Sequence, residues 1–234
     1  MANYFYLFLD IISISFPLLA TFDKRISYYK DLKYLFPAML ITGGVFITWD
    51  VLFTQWGVWG FNSKYLIGID IFNLPMEEWL FFLCIPYASI FIYASLKYFK
   101  KGFINSFNSK WVSYILSAIL IILAITFLDR AYTATTFFAL AAFILTLELL
   151  IKPKWLSHFY VSYIWVLIPF FVINGFLTGS FIEEQVVWYN NAEQIGIRMG
   201  TIPIEDTFYG MLLILMNVSL FEYFKSKRNG KDKF

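Results

Sequence analysis

Polar residues in this 234-residue chain are confined to short intervals, and between them lie apolar blocks near the roughly 20-residue length that crosses the hydrocarbon of a bilayer. Seven blocks qualify, at residues 4–22, 35–53, 76–99, 112–128, 131–151, 159–177 and 204–224. The pattern predicts an all-α membrane protein with seven transmembrane helices. Only Asp129 and Arg130 separate the fourth block from the fifth, so the chain must turn tightly there.

Basic residues orient the bundle, because Lys and Arg near helix ends favour the cytoplasmic side. The odd-to-even connections and the C-terminal tail hold Lys24, Arg25, Lys30, Lys33, Lys97, Lys100, Lys101, Lys110, Lys152, Lys154, Lys225, Lys227, Arg228, Lys231 and Lys233. The opposite side holds Lys64, Arg130 and Arg198. This asymmetry predicts an outer N-terminus and a cytoplasmic C-terminus, in a multi-pass protein of the cell membrane. No basic region precedes the first apolar stretch, so it reads as a retained span rather than a cleaved leader.

A composition of 60% hydrophobic and 15% charged residues excludes a soluble globule. The net charge of +2, carried in short connections, gives no nucleic-acid footprint. With Cys84 as the single cysteine, neither an intrachain disulfide nor a multi-cysteine metal site can form, and no metal is expected.

One stretch occurs twice. Ile67-Gly68-Ile69-Asp70-Ile71-Phe72-Asn73-Leu74-Pro75-Met76-Glu77-Glu78 returns as Ile195-Gly196-Ile197-Arg198-Met199-Gly200-Thr201-Ile202-Pro203-Ile204-Glu205-Asp206, and Phe53 with Phe181 and Asn62 with Asn190 keep the same register. The chain therefore reads as one integral-membrane domain: a three-helix repeat over about 3–101, a linker helix over about 111–128, and a second repeat over about 131–228. A single linker helix after three spans leaves the repeats parallel, related by an axis along the membrane normal. Both motifs then lie at the outer ends of helices three and seven, after the aromatic-rich connections 54–75 and 178–203.

Taken singly, Pro followed by two acids is a helix start: Pro presets the first turn, and the acids complement the positive end of the helix dipole. Two adjacent acids in both copies, at a bilayer edge where charge is costly, argue for a task beyond capping. Neighbouring residues point about 100° apart on a helix, so one acid of each pair can face the bundle. A carboxyl group pressed against apolar surface can stay a proton donor near neutral pH, and beside an ionised partner it forms an acid–base pair. In a lipid-exposed site the fitting substrate is a hydrocarbon with alkenes. Protonation makes a carbocation, which aromatic faces stabilise and a carboxylate quenches. Trp49, Trp56, Trp59, Trp79 and Trp188 lie near the same outer side, and belt or packing roles account for most of them.

The Pro75-Met76-Glu77-Glu78 and Pro203-Ile204-Glu205-Asp206 motifs, with their neighbours Trp79-Leu80-Phe81-Phe82 and Thr207-Phe208-Tyr209-Gly210, resemble the integral-membrane lycopene cyclases of the heterodimeric type in a form with the two subunits fused. The same module forms the cyclase part of fungal bifunctional phytoene synthase/lycopene cyclase proteins. The resemblance covers nearly the whole chain. It implies redox-neutral, acid-catalysed closure of the linear ends of lycopene to β-ionone rings in carotenoid biosynthesis, without a cofactor, in agreement with the absence of a G-x-G-x-x-G fingerprint. Lycopene or a related carotenoid, the lipid bilayer and other carotenoid-pathway enzymes are the implied partners. Glu77 and Glu205, identical between copies, are the leading acid/base candidates, with Glu78 and Asp206 as modulators or alternates. Pro75, Pro203, Asp10, Asp50, Trp79 and Asn174 are candidate supporting or substrate-binding residues, and Thr178 is a further cavity candidate.

Asp70 and Arg198 occupy matching positions with opposite charge, which predicts a pair across the pseudo-axis. His158 reads as interfacial, and Glu148 and Glu222 as partners of Lys152 and Lys225. Two other functions stand as alternatives: cyclisation of prenyl-extended C45 or C50 carotenoids, for which the motifs would look the same, and transport by a small seven-helix protein with parallel repeats, which would prefer polar groups and helix breaks near the midplane over acids at helix starts. A retinal protein would need a lysine in mid-span, and none lies there.

Overall fold

The computed structural model describes residues 2–99 and 108–228. Lys100, Lys101, Lys231 and Lys233 of the charge pattern lie outside the described residues. Among the described residues, seven helices are long and apolar enough to cross a membrane: α1 (Phe5–Ala20, preceded by a short 3-10 turn), α2 (Leu32–Gln55), α3 (Met76–Phe99), α4 (Ser109–Thr126), α5 (Ala131–Thr146), α6 (Leu156–Leu177) and α7 (Ile204–Arg228). A turn at residues 127–130 parts α4 from α5 as the sequence requires, and a π-helical turn, Leu147–Ile151, extends α5. Large apolar side chains such as Leu19, Leu40, Ile122 and Ile164 project outward from the bundle, the arrangement suited to lipid rather than water.

α1 packs on α3 and α5 on α7, while α2 crosses to α7 and α6 to α3. These pairs interchange under a shift of 128 residues, so each middle helix braces the motif helix of the other half. The core between them is built from Leu35, Phe46, Phe82, Ile90, Phe137, Leu140, Leu215 and Phe221, all nearly or fully buried. α4 lies along α5.

Three two-stranded ribbons sit at the motif end. β1 (Trp59–Phe61) pairs antiparallel with β4 (Val187–Tyr189), placing Gly60 opposite Trp188. Those two positions are themselves 128 apart, so the ribbon is centred on equivalent residues of the two halves. The other two ribbons are the repeated hairpins, β2 (Asp70–Ile71) with β3 (Leu74–Pro75), and β5 (Arg198–Met199) with β6 (Ile202–Pro203). Phe72 and Asn73 both adopt positive φ, as a two-residue hairpin turn of the I′ kind requires. In the second hairpin Gly200 alone carries positive φ. Asn62 and Asn190 do identical work, each side chain accepting the backbone N–H two residues on, from Lys64 and Ala192, at 3.0 Å. Phe53 and Phe181 share register but not surroundings, one buried and the other 65% exposed.

Asp70 and Arg198 do not meet. Each stands opposite the proline of its own hairpin, Pro75 or Pro203. The Arg198 guanidinium is spent on Thr201 O at 2.6 Å and Asn191 Oδ1 at 3.1 Å. At the opposite end of the bundle the expected ion pairs are also exchanged. Glu222 bonds Lys97 at 2.6 Å and Tyr93 at 2.7 Å, Lys225 bonds Asp31, and Glu148 accepts the Ser113 hydroxyl at 3.1 Å. His158 is buried rather than interfacial, its Nε2 2.9 Å from Tyr93 O.

Candidate functional site

The repeated hairpins end in proline, and the following residue opens the motif helix in both copies. Met76 N–H bonds Ile69 O at 2.8 Å and Ile204 N–H bonds Ile197 O at 3.0 Å, which fixes where α3 and α7 begin and hence which way each acid points. The first acids turn back to the loops. Glu77 Oε1 accepts Ile67 N–H at 2.7 Å; Glu205 Oε1 accepts Ile195 N–H at 2.7 Å and the Thr133 hydroxyl at 2.6 Å. Both carboxyls are fully buried. They latch the connecting loops to the helix starts and lie outside the cavity wall described next.

The second acids, Glu78 and Asp206, line one cavity of about 530 Å³. Its wall comes from α1, α3, α6 and α7, with Asp50 of α2 and Trp59 and Tyr189 of the β1–β4 ribbon at the motif end. Along α3 it runs from Glu78 past Phe81, Ile85 and Ser89 to Ile92, about 21 Å at roughly 1.5 Å per residue. Acids crowd one end, and apolar side chains line the rest. Ile12, Phe16 and Val172 line the cavity while being 50%, 72% and 51% exposed, so it opens sideways between α1 and α6, toward the apolar exterior of the bundle.

Each second acid is held by tyrosine. The Tyr6 hydroxyl donates to Glu78 Oε2 at 2.5 Å; the Tyr132 hydroxyl donates to Asp206 Oδ1 at 2.5 Å and Tyr189 to Oδ2 at 2.8 Å. Tyr6 and Tyr132 stand at the starts of α1 and α5, the helices that pack on α3 and α7. The ribbon supplies further donors: Trp59 Nε1 bonds Asp50 Oδ1, which also accepts the Thr54 hydroxyl at 3.5 Å, and Tyr189 reaches Asp206 from the partner strand. Burial and the neighbouring Asp206 push the Tyr189 phenol well above its ordinary range, so it remains a donor.

Asp50 and Glu78 lie side by side at the wall. Asp50 Oδ2 is buried and accepts no hydrogen bond. The Tyr209 hydroxyl is also buried without a partner, and its ring packs among Phe46, Trp49 and Trp59 at centroid distances of 5.0, 5.4 and 5.9 Å.

Of the remaining sequence candidates, Asn174 lines the cavity. Thr178 does not; its hydroxyl bonds Asn174 O at 2.8 Å and meets that of Thr201 at 2.6 Å. Trp79 points to its own hairpin, Nε1 bonding Ile71 O at 3.2 Å. Pro75 and Pro203 are buried at the hairpin ends, and Asp10 is buried in α1 beyond the cavity wall, within electrostatic reach of Glu77. Sequence reasoning did not single out Tyr6, Tyr132 or Tyr189. The available signal was their place: tyrosines at the starts of α1 and α5 that topology sets beside the motifs, and one on the connection between α6 and α7 that leads into the second motif.

These features define a helical membrane protein whose duplicated acids converge on one apolar cavity. The lycopene cyclase family model matches residues 3–96 and again residues 129–224, and the chain belongs to this family. The match falls on α1 to α3 and on α5 to α7, leaving α4 between. The family assigns the chain to enzymes that cyclise lycopene, with a carotenoid as substrate. No curated protein and no solved structure matched the chain.

Proposed function

We propose that this protein is a lycopene β-cyclase that closes the linear ends of its substrate through a carbocation, by acid–base catalysis at one composite site. The observation that carries this reading is that Glu78 and Asp206, one acid from each motif, face the same apolar, laterally open cavity. A hydrocarbon end enters from the bilayer between α1 and α6 and lies along the tunnel with its terminal alkene among the acids. Proton addition to the terminal alkene leaves a tertiary cation. The next double bond attacks it, forming the ring bond, and loss of a ring proton restores an alkene. Atoms and oxidation level are unchanged, so the reaction consumes no oxidant or reductant.

Trp59, Tyr132 and Tyr209 surround the acid end with aromatic faces that favour the cation. The lateral mouth admits one end at a time, so a two-ringed product requires release and reversal of the chain. Within this reading Glu78 and Asp206 are the catalytic carboxyls, and Glu77 and Glu205 position the helix starts that carry them. The charge asymmetry supports a membrane orientation with the site near the outer surface.

The test is expression in a bacterial strain that accumulates lycopene, with pigments extracted and separated by chromatography, for the wild type, Glu78→Gln and Asp206→Asn. Conversion to γ- or β-carotene by the wild type and its loss in both variants is the expected result. Unchanged lycopene beside well-expressed protein overturns the reading, and turnover only in a strain making prenyl-extended carotenoids reassigns the substrate.

A further inference from the structure

The two halves of the site are chemically unequal. The residue that breaks the symmetry is Asp50. Its counterpart 128 positions on is Thr178, which is tied to Asn174 and Thr201 and lies outside the cavity wall. Asp50 is 2% exposed and lines the cavity, with Oδ1 taken by Trp59 and Oδ2 buried without a donor beside Glu78. A buried orphan acceptor next to a second carboxyl is satisfied when one proton sits between them. No ion pair among the described residues reaches either group.

Asp206 is more fully provided with donors than Glu78, which accepts one tyrosine hydroxyl, from Tyr6 on Oε2. Both oxygens of Asp206 accept tyrosine hydroxyls, and the Arg198 guanidinium lies 6.0 Å from the Tyr189 ring centre. Hydroxyl donors on both oxygens, with a cation nearby, suit a carboxylate anion.

Resting on the cyclase reading above, we infer that the site has a fixed polarity: the Asp50–Glu78 pair holds and delivers the proton, and Asp206 removes one. The Glu78 O–H bond breaks as its proton adds to the terminal alkene carbon. After ring closure Asp206 takes a ring proton, and the electrons of that C–H bond form the ring alkene. The proton gained by Asp206 then returns to the pair. The unpartnered Tyr209 hydroxyl, within electrostatic reach of all three acids, is placed to carry it. Asp50 is thus a positioning residue, keeping the Glu78 proton in place.

Membranes containing the full-length protein are assayed on lycopene and on lycopene bearing a terminal epoxide, whose opening demands a weaker acid than an alkene does. Asp50→Asn is expected to lower lycopene turnover about 100-fold and epoxide turnover less than about tenfold. Asp206→Asn is expected to lower both alike, and Asp50→Glu to recover part of the lycopene rate. Thermal unfolding in detergent checks that each variant is folded. Asp50→Asn keeping most of its lycopene activity overturns the polarity, and so does epoxide rescue of Asp206→Asn rather than Asp50→Asn. If Asp50→Asn does not fold, Asp50→Glu decides: a larger loss on lycopene than on the epoxide supports the polarity, and equal losses overturn it. A wild type inactive on both substrates removes the cyclase reading itself, an outcome distinct from any of these.

Discussion

Gly60 lies directly against the indole of Trp188, its register partner in the ribbon that joins the two halves: a Cβ built on Gly60 would stand 2.6 Å from Cε2 and closer still to Cζ2. The same ribbon presents Trp59 to Asp50 and Tyr189 to Asp206. Gly60→Ala must push the indole or the strand aside, with an overpacking cost of about 1–3 kcal/mol. A lowered unfolding temperature together with reduced pigment conversion is expected. Trp188→Ala in the Gly60→Ala background should recover part of both, since it removes the obstruction.

Tyr132 and Tyr189 are assigned to keep Asp206 an acceptor. Removing either hydroxyl takes away a hydrogen bond to a charged group, worth about 1.5–3 kcal/mol. Tyr132→Phe and Tyr189→Phe should each slow cyclisation about 10- to 100-fold at unchanged expression. Wild-type rates in the double variant would remove these tyrosines from the mechanism.

Tyr189 also sets a limit at alkaline pH. Its phenol is raised above the ordinary tyrosine value of about 10 by burial and then by Asp206. The folded chain therefore keeps the proton that the unfolded chain releases, and stability that is fully present below about pH 10 declines as pH rises beyond it. Unfolding temperatures measured across this range should fall for the wild type and fall less steeply for Tyr189→Phe. Equal slopes would contradict a buried, protonated phenol.

The two acids of each motif should separate cleanly on substitution. Glu77→Gln keeps a carbonyl oxygen to accept Ile67 N–H, so fold and much of the activity should survive, whereas Glu77→Ala leaves a partly buried N–H unpaired and costs about 1 kcal/mol. Glu78→Gln keeps shape but has no acidic proton, and should lose about 100-fold or more in turnover. Pigment yield and thermal unfolding, measured on the same preparations, distinguish latch from catalyst. Equal activity loss in Glu77→Gln and Glu78→Gln would undo the distinction.

Much of this architecture is written in the chain. Block length gave the seven helices, and the repeat with its Asn62 and Asn190 turns gave two matching approaches to α3 and α7. The rotation of each helix about its axis is not written there. Identity between the copies drew attention to Glu77 and Glu205, yet the hairpins turn those two to the backbone and the next residue, about 100° around, to the cavity. Nor does sequence show that Tyr6, Tyr132 and Tyr189 converge on the acids. That depends on contacts between helices and loops far apart in the chain, and tyrosines at a membrane interface are ordinary.

Asymmetry between the halves also explains why one cavity serves both motifs. Asn174 lines it, while its counterpart 128 positions earlier, Phe46, is fully buried against Trp49, Phe82 and Tyr209 and fills the corresponding space in the other half. Asn174→Phe should therefore carry the plug into the working half. Because Asn174 is partly buried at the cavity wall rather than fully buried in the packed core, the fold should hold while the tunnel is obstructed, and pigment conversion should fall at least about tenfold. Asn174→Ala, which leaves the space open, should retain activity. If Phe at 174 is as active as the wild type with its fold intact, the substrate does not lie along this cavity, and the acids must be reached by another route.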